Sequence, residues 1–83
     1  MSDTHQTSAL ALISTTPSAN TRDVAQLISN ITHVTKVHEI TGKFDIAIFI
    51  TADNIYHINE AIDKLRKIPT VANTDTMIIL STI

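Results

Sequence analysis

The segment that decides the fold is FDIAIFIT, residues 44–51. Side chains of a β-strand alternate between the two faces of its sheet. One face of this segment therefore carries Ile46, Ile48 and Ile50. The other face carries Ala47 and Phe49. Because both faces are apolar, we expect this to be the strongest strand of the chain, covered on both sides by other atoms.

Three further strands are predicted around this segment. Residues 33–41 alternate β-branched and polar side chains, which is typical of a strand with at least one face partly in water. The turn Thr41-Gly42-Lys43 follows and contains the only glycine of the chain, the residue that adopts a positive φ at least cost. Apolar runs predict a first strand at residues 9–13 and a last strand at residues 71–80, with residues 77–80 as its buried part.

Two segments have the periodicity of amphipathic helices. The first begins with Asn20 or Thr21 as its N-cap. Its apolar face is predicted to consist of Val24, Leu27, Ile28 and Ile31. The second begins at Asp53 or Asn54 and ends before Pro69, because the residue before a proline avoids the α region. Its apolar positions are Ile55, Ile58, Ala61, Ile62, Leu65 and Ile68.

The resulting order of elements is β-α-β-β-α-β, and its two halves repeat each other. Residues 31–34 (ITHV) recur as residues 68–71 (IPTV), each at the passage from a helix to a strand. Two β-α-β units of this length predict an α+β, ferredoxin-like fold, in which a four-stranded antiparallel sheet carries both helices on one face. Since the strands are apolar on the other face as well, we expect that face to contact a second copy of the chain.

Length and composition limit the function. The 83 residues form one domain, predicted at residues 8–83 after a loose lead-in at residues 1–7. The chain has no cysteine and its histidines lack the spacing of a metal motif, so we expect neither a metal site nor a cofactor. A net charge of −2 gives no electrostatic basis for binding nucleic acid. Without a membrane-spanning apolar run or a signal peptide, a soluble cytoplasmic protein is predicted.

One group of residues has the chemistry of a small-molecule site. The turn at Gly42 can present backbone N–H groups to a carboxylate, and Asp45 can accept a hydrogen bond from an ammonium group. Thr74 and Thr76 lie two positions apart on a strand, so their hydroxyls share one face. An α-amino acid would satisfy this set. On the residues alone, however, the favoured interpretation is a plain hairpin turn and an ordinary strand.

A resemblance to a known family favours the amino-acid site over the plain hairpin turn. The segment VTKVHEITGKFDI, residues 34–46, together with IPTV at 68–71 and TDTMIIL at 74–80, resembles the effector-binding (RAM) domain of Lrp/AsnC transcription regulators. The resemblance implies a ferredoxin-like domain that dimerises sheet to sheet and often forms rings of dimers. It also implies that an amino acid binds between neighbouring dimers. The implied binding residues are Gly42, Asp45, Thr74 and Thr76, with Lys43 and Phe44 at the rim.

The sequence departs from the family pattern in two respects. At the helix-to-strand turns the family usually has Pro-Gly, whereas this chain has Thr32-His33 and Pro69-Thr70. The helix-turn-helix of full-length regulators has no counterpart here. We therefore expect a stand-alone domain, not an enzyme, that senses an amino acid and modulates a full-length Lrp-type regulator or amino-acid metabolism.

Two other interpretations stay open. A peptide-binding chaperone of similar fold would need a free sheet edge, to which a peptide adds as a further strand. A small dimeric α/β-barrel enzyme would need a cleft in which His38 lies beside a carboxylate, so that the imidazole could act as a base.

Overall fold

The computed structural model describes residues 6–83, in six elements. They are β1 (Thr7–Thr15), α1 (Thr21–Ser29), β2 (Val34–Glu39), β3 (Ile46–Ala52), α2 (Ile55–Arg66) and β4 (Val71–Ile79). The predicted order is confirmed. Residues 1–5 of the predicted lead-in lie outside the described residues, and β1 already includes residue 7. Within residues 6–83, no helix combines the length and the hydropathy needed to cross a membrane.

The four strands form one antiparallel sheet in the order β2-β3-β1-β4. β1 lies in the interior of the sheet, where Ala11 pairs with Ile48 of β3 on one side and with Thr76 of β4 on the other. β2 and β4 are the edge strands. A four-stranded antiparallel sheet with two helices confirms the predicted ferredoxin-like fold.

The hydrophobic core lies between the sheet and the helices. The strands contribute Ala9, Ala11, Ile13, Ile46, Ile48, Ile50 and Ala52. The helices contribute Val24, Ala25, Ile28, Ile58, Ala61, Ile62 and Leu65. Burying each of the large aliphatic side chains stabilises the fold by about 1.5–3 kcal/mol, so the seven that are almost wholly buried dominate this core.

Each helix has as its N-cap one of the two residues predicted for it. The side chain of Asn20 accepts a hydrogen bond from the backbone N–H of Asp23 at 3.2 Å, and Asn54 accepts one from His57 at 3.1 Å. The predicted inner face of α1 is wrong at Leu27, which is 57% exposed, and Ile31 lies beyond the end of the helix although it packs against the core. The helix turns by about 100° per residue, and the burial of residues 24, 25 and 28 aims its inner face away from Leu27.

β4 also differs from the expectation. Residues 77–80 were predicted as a buried stretch, yet Ile78 is 41% exposed and Leu80 is 93% exposed. The physical reason is position, because β4 is an edge strand with a neighbouring strand on one side only and Leu80 lies beyond its last residue, Ile79. An apolar run by itself does not distinguish an edge strand from an interior one.

The sheet face that points away from the helices, called the open face below, has no cover within the chain. Residues that pair directly across antiparallel strands share a face, which places Leu10, Leu12, Ala47 and Phe49 together at its centre. All four are half-buried. Its margins carry the polar side chains of Lys36 and His38 on β2 and of Asn73 and Asp75 on β4, together with the apolar Met77 and Ile79 of β4. An apolar centre with a largely polar rim is the usual anatomy of a protein interface.

Candidate functional site

The glycine turn lies between β2 and β3, as predicted. Gly42 has a φ of 111°, and a side chain added there would meet no atom within 4 Å. Backbone conformation, not crowding, therefore favours glycine at this position. The backbone N–H of Ile40 donates to the carbonyl of Asp45 at 2.9 Å, and this hydrogen bond joins the two ends of the loop between β2 and β3. Gly42 and Lys43 are exposed, and Phe44 is half-buried.

Asp45 fastens the start of β3 to the end of β1. Its backbone N–H donates to the carbonyl of Ile13 at 2.9 Å. Its carboxylate oxygen Oδ2 accepts from the backbone N–H of Thr15 at 2.8 Å and from the Thr15 hydroxyl at 3.1 Å. The Thr15 hydroxyl lies 3.4 Å from that of Thr21, the first residue of α1. One oxygen of this half-buried carboxylate is thus engaged by the protein itself.

The two threonines of the predicted site lie on β4. Thr74 pairs with Ile13 and Thr76 pairs with Ala11, and both partners are buried under the helices. Thr74 and Thr76 therefore point to the helix side of the sheet and share one face, as predicted. The hydroxyl oxygen of Thr76 is buried, and it has no hydrogen-bond partner among residues 6–83. An unsatisfied buried hydroxyl is unusual and requires an explanation.

β1 separates the two halves of the predicted site. Asp45 precedes β3 and the threonines lie on β4, and these strands flank β1 on opposite sides. Neighbouring strands lie about 4.8 Å apart, so the backbones of Asp45 and Thr74 are roughly 10 Å apart. The two halves share one end of the sheet, because Ile13 contacts both through backbone pairing.

Two grooves in the described part of the chain are lined by other residues. One, of about 240 Å³, lies between α1 and β2 and is lined by Arg22, Ala25, Gln26, Ser29, Val37 and Glu39. The other, of about 290 Å³, lies at one end of the open face and is lined by Gln6, Ser8, Phe49, Thr51 and residues 79–82. Neither groove is lined by a residue predicted to bind the ligand, so the predicted site does not coincide with either of them.

A histidine pair escaped the sequence-based reasoning. The rings of His33 and His57 lie with their centroids 5.1 Å apart and their planes inclined by 34°. Nδ1 of His57 lies 2.9 Å from a carboxylate oxygen of Glu60, and this hydrogen bond lowers the pKa of the Glu60 carboxyl. The spacing of His57 and Glu60 on one helix was readable from the sequence. The approach of His33 was not, because it depends on the turn before β2.

His38 does not have the environment that the enzyme interpretation requires. Its ring lies edge-on to Phe49 on the open face, with the centroids 6.2 Å apart. Its neighbour Glu39 pairs with the buried Ile46 and therefore points to the opposite face. Within residues 6–83, the histidine in contact with a carboxylate is His57.

Comparison with known proteins gives a consistent picture. A sequence model of the Lrp/AsnC ligand binding domain matches residues 8–83. The HTH-type transcriptional regulator LysM of Saccharolobus solfataricus is 36% identical over 74 residues, which are 89% of this chain and 52% of the regulator. The chain therefore spans about half the length of that curated relative.

Solved structures share the fold. A hypothetical protein from Pyrococcus horikoshii superposes with a TM-score of 0.81 at 23% identity, covering 92% of each chain. The feast or famine regulatory protein of Mycobacterium tuberculosis, complexed with L-methionine, superposes with a TM-score of 0.77 at 21% identity, covering 92% of this chain and 51% of that one. The family match over nearly all of the described residues, together with the likeness to a curated regulator, shows that this chain belongs to the Lrp/AsnC family and corresponds to its ligand-binding domain.

Proposed function

We propose that this domain binds an α-amino acid between neighbouring subunits of a dimer-based assembly, and that binding modulates a transcription regulator or amino-acid metabolism. The observation that carries the proposal is the buried hydroxyl of Thr76, which has no partner among residues 6–83. A ligand reaches this oxygen only if the side chains that cover it move, and a hydrogen bond to it would then remove the cost of leaving it unsatisfied.

The chemistry of the other half supports the same ligand class. The turn at Gly42 is exposed and can offer backbone N–H groups to a carboxylate. The carboxylate of Asp45 uses Oδ2 for Thr15, which leaves Oδ1 for the ammonium group of a ligand. An amino acid has both charged groups on one carbon, so it suits a site with an anion-binding turn next to an acceptor. Lys43 and Phe44 are assigned to the rim.

A second subunit is proposed because β1 lies between Asp45 and the two threonines of β4 within one chain. In the proposed arrangement, the glycine turn of one subunit faces the β4 strand of a neighbour, and each supplies one half of the site. The methionine-bound regulator of Mycobacterium tuberculosis supports the amino-acid class of ligand.

Dimerisation is assigned to the open face. Its half-buried centre contains Leu10, Leu12 and Phe49, and two such faces packed together would remove this apolar surface from water. A two-fold axis brings the same patch of both copies together and needs no second kind of surface. The dimer is therefore the unit from which the larger assembly is built.

A thermal-shift screen of the twenty amino acids, followed by calorimetry on the best ligand, tests the proposal. Asp45→Asn removes the negative charge but keeps an oxygen that can accept from Thr15, so the fold should survive. Loss of a hydrogen bond to a charged group should weaken binding about tenfold or more. Asp63→Asn, the same change at an exposed position of α2, should bind like the wild type. Failure of every amino acid to bind the wild type at millimolar concentration would overturn the proposal.

The peptide-binding interpretation stays open as a second prediction. The structure has two edge strands, and the longer one, β4, has nine residues and one charged side chain, Asp75. Such an edge can accept a further strand. Titration with an extended peptide under the conditions of the amino-acid screen separates the two functions.

A further inference from the structure

Two histidines that are far apart in the sequence meet on the helix side of the sheet. His33 lies in the turn between α1 and β2, and His57 lies in the first turn of α2. Their ring centroids are 5.1 Å apart. The side chain of His57 is 44% exposed and that of Glu60 is 66% exposed, so solvent and dissolved ions reach the pair.

The contact with Glu60 determines which nitrogen of His57 is available. Nδ1 lies 2.9 Å from Oε1 of Glu60. A carboxylate accepts hydrogen bonds, so Nδ1 carries the proton, and in the neutral ring Nε2 then carries the lone pair. Metal-binding histidines are commonly held in this way, with the other ring nitrogen donating to a carboxylate that fixes the tautomer and the ring orientation.

His33 is held in an unfavourable backbone conformation. Its φ is 78°, the left-handed region that residues with a side chain rarely occupy. Its carbonyl accepts a hydrogen bond from the backbone N–H of Thr51 at 2.9 Å, and the N–H of Val34 donates to Ile31 at 3.2 Å. These bonds fix the turn, and the turn carries the imidazole of His33 to that of His57. Strain of this kind often accompanies function.

The separation of the rings fits a shared metal ion. An imidazole nitrogen lies about 2.1 Å from a bound Zn²⁺, which puts each ring centroid roughly 3.2 Å from the metal. Two such rings at an N–metal–N angle of about 90–110° have centroids roughly 4.5–5.2 Å apart. The observed 5.1 Å lies in this range. The broad χ2 preference of histidine allows the ring of His33 to turn a nitrogen toward a metal ion held at Nε2 of His57.

We propose that His33 and His57 form a two-imidazole site for a divalent late transition metal such as Zn²⁺, Ni²⁺ or Cu²⁺, with Glu60 as the positioning residue of His57. Imidazole nitrogens suit these ions, whereas Mg²⁺ and Ca²⁺ require oxygen ligands. Within residues 6–83, no three histidine, aspartate or glutamate side chains gather around one point. Water therefore completes the coordination, and the site is open. It lies apart from the proposed amino-acid site.

Calorimetric titration of the untagged full chain with ZnCl₂, NiCl₂ and CuCl₂, and with MgCl₂ as the comparison salt, tests this site. The wild type should bind at least one of the three transition metals with about one ion per chain, and should not bind Mg²⁺. Affinity should fall as the pH is lowered, because protons compete with the metal for the imidazole nitrogens. Each of His33→Gly and His57→Gln should abolish the binding.

A matched control and a graded variant separate this site from adventitious binding. His38→Asn removes a histidine from the open face and should bind metal like the wild type. Glu60→Gln should bind about tenfold more weakly, as expected when the group that orients a metal ligand is altered. The site is disproved if the wild type binds none of the three metals, or if His33→Gly binds them as tightly as the wild type. Circular dichroism confirms that each variant is folded.

Discussion

The carboxylate of Asp45 and the residue Thr15 are joined by two hydrogen bonds, from the backbone N–H at 2.8 Å and from the hydroxyl at 3.1 Å, and both end on Oδ2. The two residues are 30 positions apart in the chain, so the contact joins the end of β1 to the start of β3. Asp45 therefore supports the fold whether or not a ligand is bound. In the proposed site, the other carboxylate oxygen of Asp45, Oδ1, accepts a hydrogen bond from the ligand.

Replacement of Asp45 should separate these two roles. Asp45→Ala leaves the half-buried N–H of Thr15 without its acceptor, and we expect the free energy of unfolding to fall by about 1–3 kcal/mol. Asp45→Asn keeps an acceptor oxygen and should lower it less. Urea denaturation of both variants measures the difference. Equal losses would indicate that the charge, and not the hydrogen bonds to Thr15, is what stabilises this corner.

The open face should hold the dimer together. Phe49→Asp puts a charge at its apolar centre, where dimerisation would have to bury it at a cost of several kcal/mol. We expect sedimentation at micromolar concentration to show a dimer or a larger species for the wild type, and the 9.1 kDa monomer for the variant. Phe49 is half-buried in one chain, so the monomer should stay folded.

Leu27→Asp is the matched control for this experiment. Leu27 is an exposed leucine on α1, on the other side of the molecule from the open face. Its replacement should leave the assembly unchanged. A wild type that sediments as a monomer would show that the open face tolerates water, and would remove the basis for sheet-to-sheet contact.

The strained turn at His33 predicts an unusual order of stabilities. His33→Ala and His33→Gly both lose the contact with His57, but only glycine adopts a φ of 78° without a steric penalty. The left-handed conformation costs other residues about 1–2 kcal/mol, part of which is offset by the greater freedom of glycine in the unfolded chain. We therefore expect His33→Gly to be about 0.5–1 kcal/mol more stable than His33→Ala in metal-free buffer. Chemical denaturation measures this difference, and the opposite order would mean that the turn relaxes when the imidazole is removed.

Much of the fold was predictable because its information is local. The alternation of residues 46–50 and the caps Asn20 and Asn54 are signals within a few residues of each other, and the structure confirms them. The exposure of Leu27 and of β4 was not predictable in the same way. It depends on which strand lies at the sheet edge and on how the helices are rotated, and these follow from the packing of the whole domain.

In the candidate site, too, local features were predictable from the sequence and features that depend on the packing of the whole domain were not. The glycine turn was predictable from the sequence, because a turn with a positive φ favours glycine and Gly42 is the residue found there. The partner of Asp45 was not, since Thr15 lies on a strand that only the register of β1 and β3 brings next to it. The contact between His33 and His57 was not predictable either, because only the fold brings these two residues together. Whether the turn and β4 form one amino-acid site stays a prediction, because it depends on a second subunit.

Thr76 offers a test in which stability and function should move in opposite directions. Its hydroxyl is buried without a partner among residues 6–83, and valine has nearly the same shape without the oxygen. Removing an unsatisfied hydroxyl should raise the free energy of unfolding by about 1 kcal/mol. If the oxygen serves a ligand, Thr76→Val should also weaken amino-acid binding, by less than Asp45→Asn does, because a neutral hydrogen bond contributes less than a charged one. Thr74→Val is the control for stability, since the hydroxyl of the half-buried Thr74 is not a buried unsatisfied group and its removal should gain little stability. A destabilised Thr76→Val would mean that the assembled protein satisfies this hydroxyl without a ligand, and the case for β4 as half of the site would then fail.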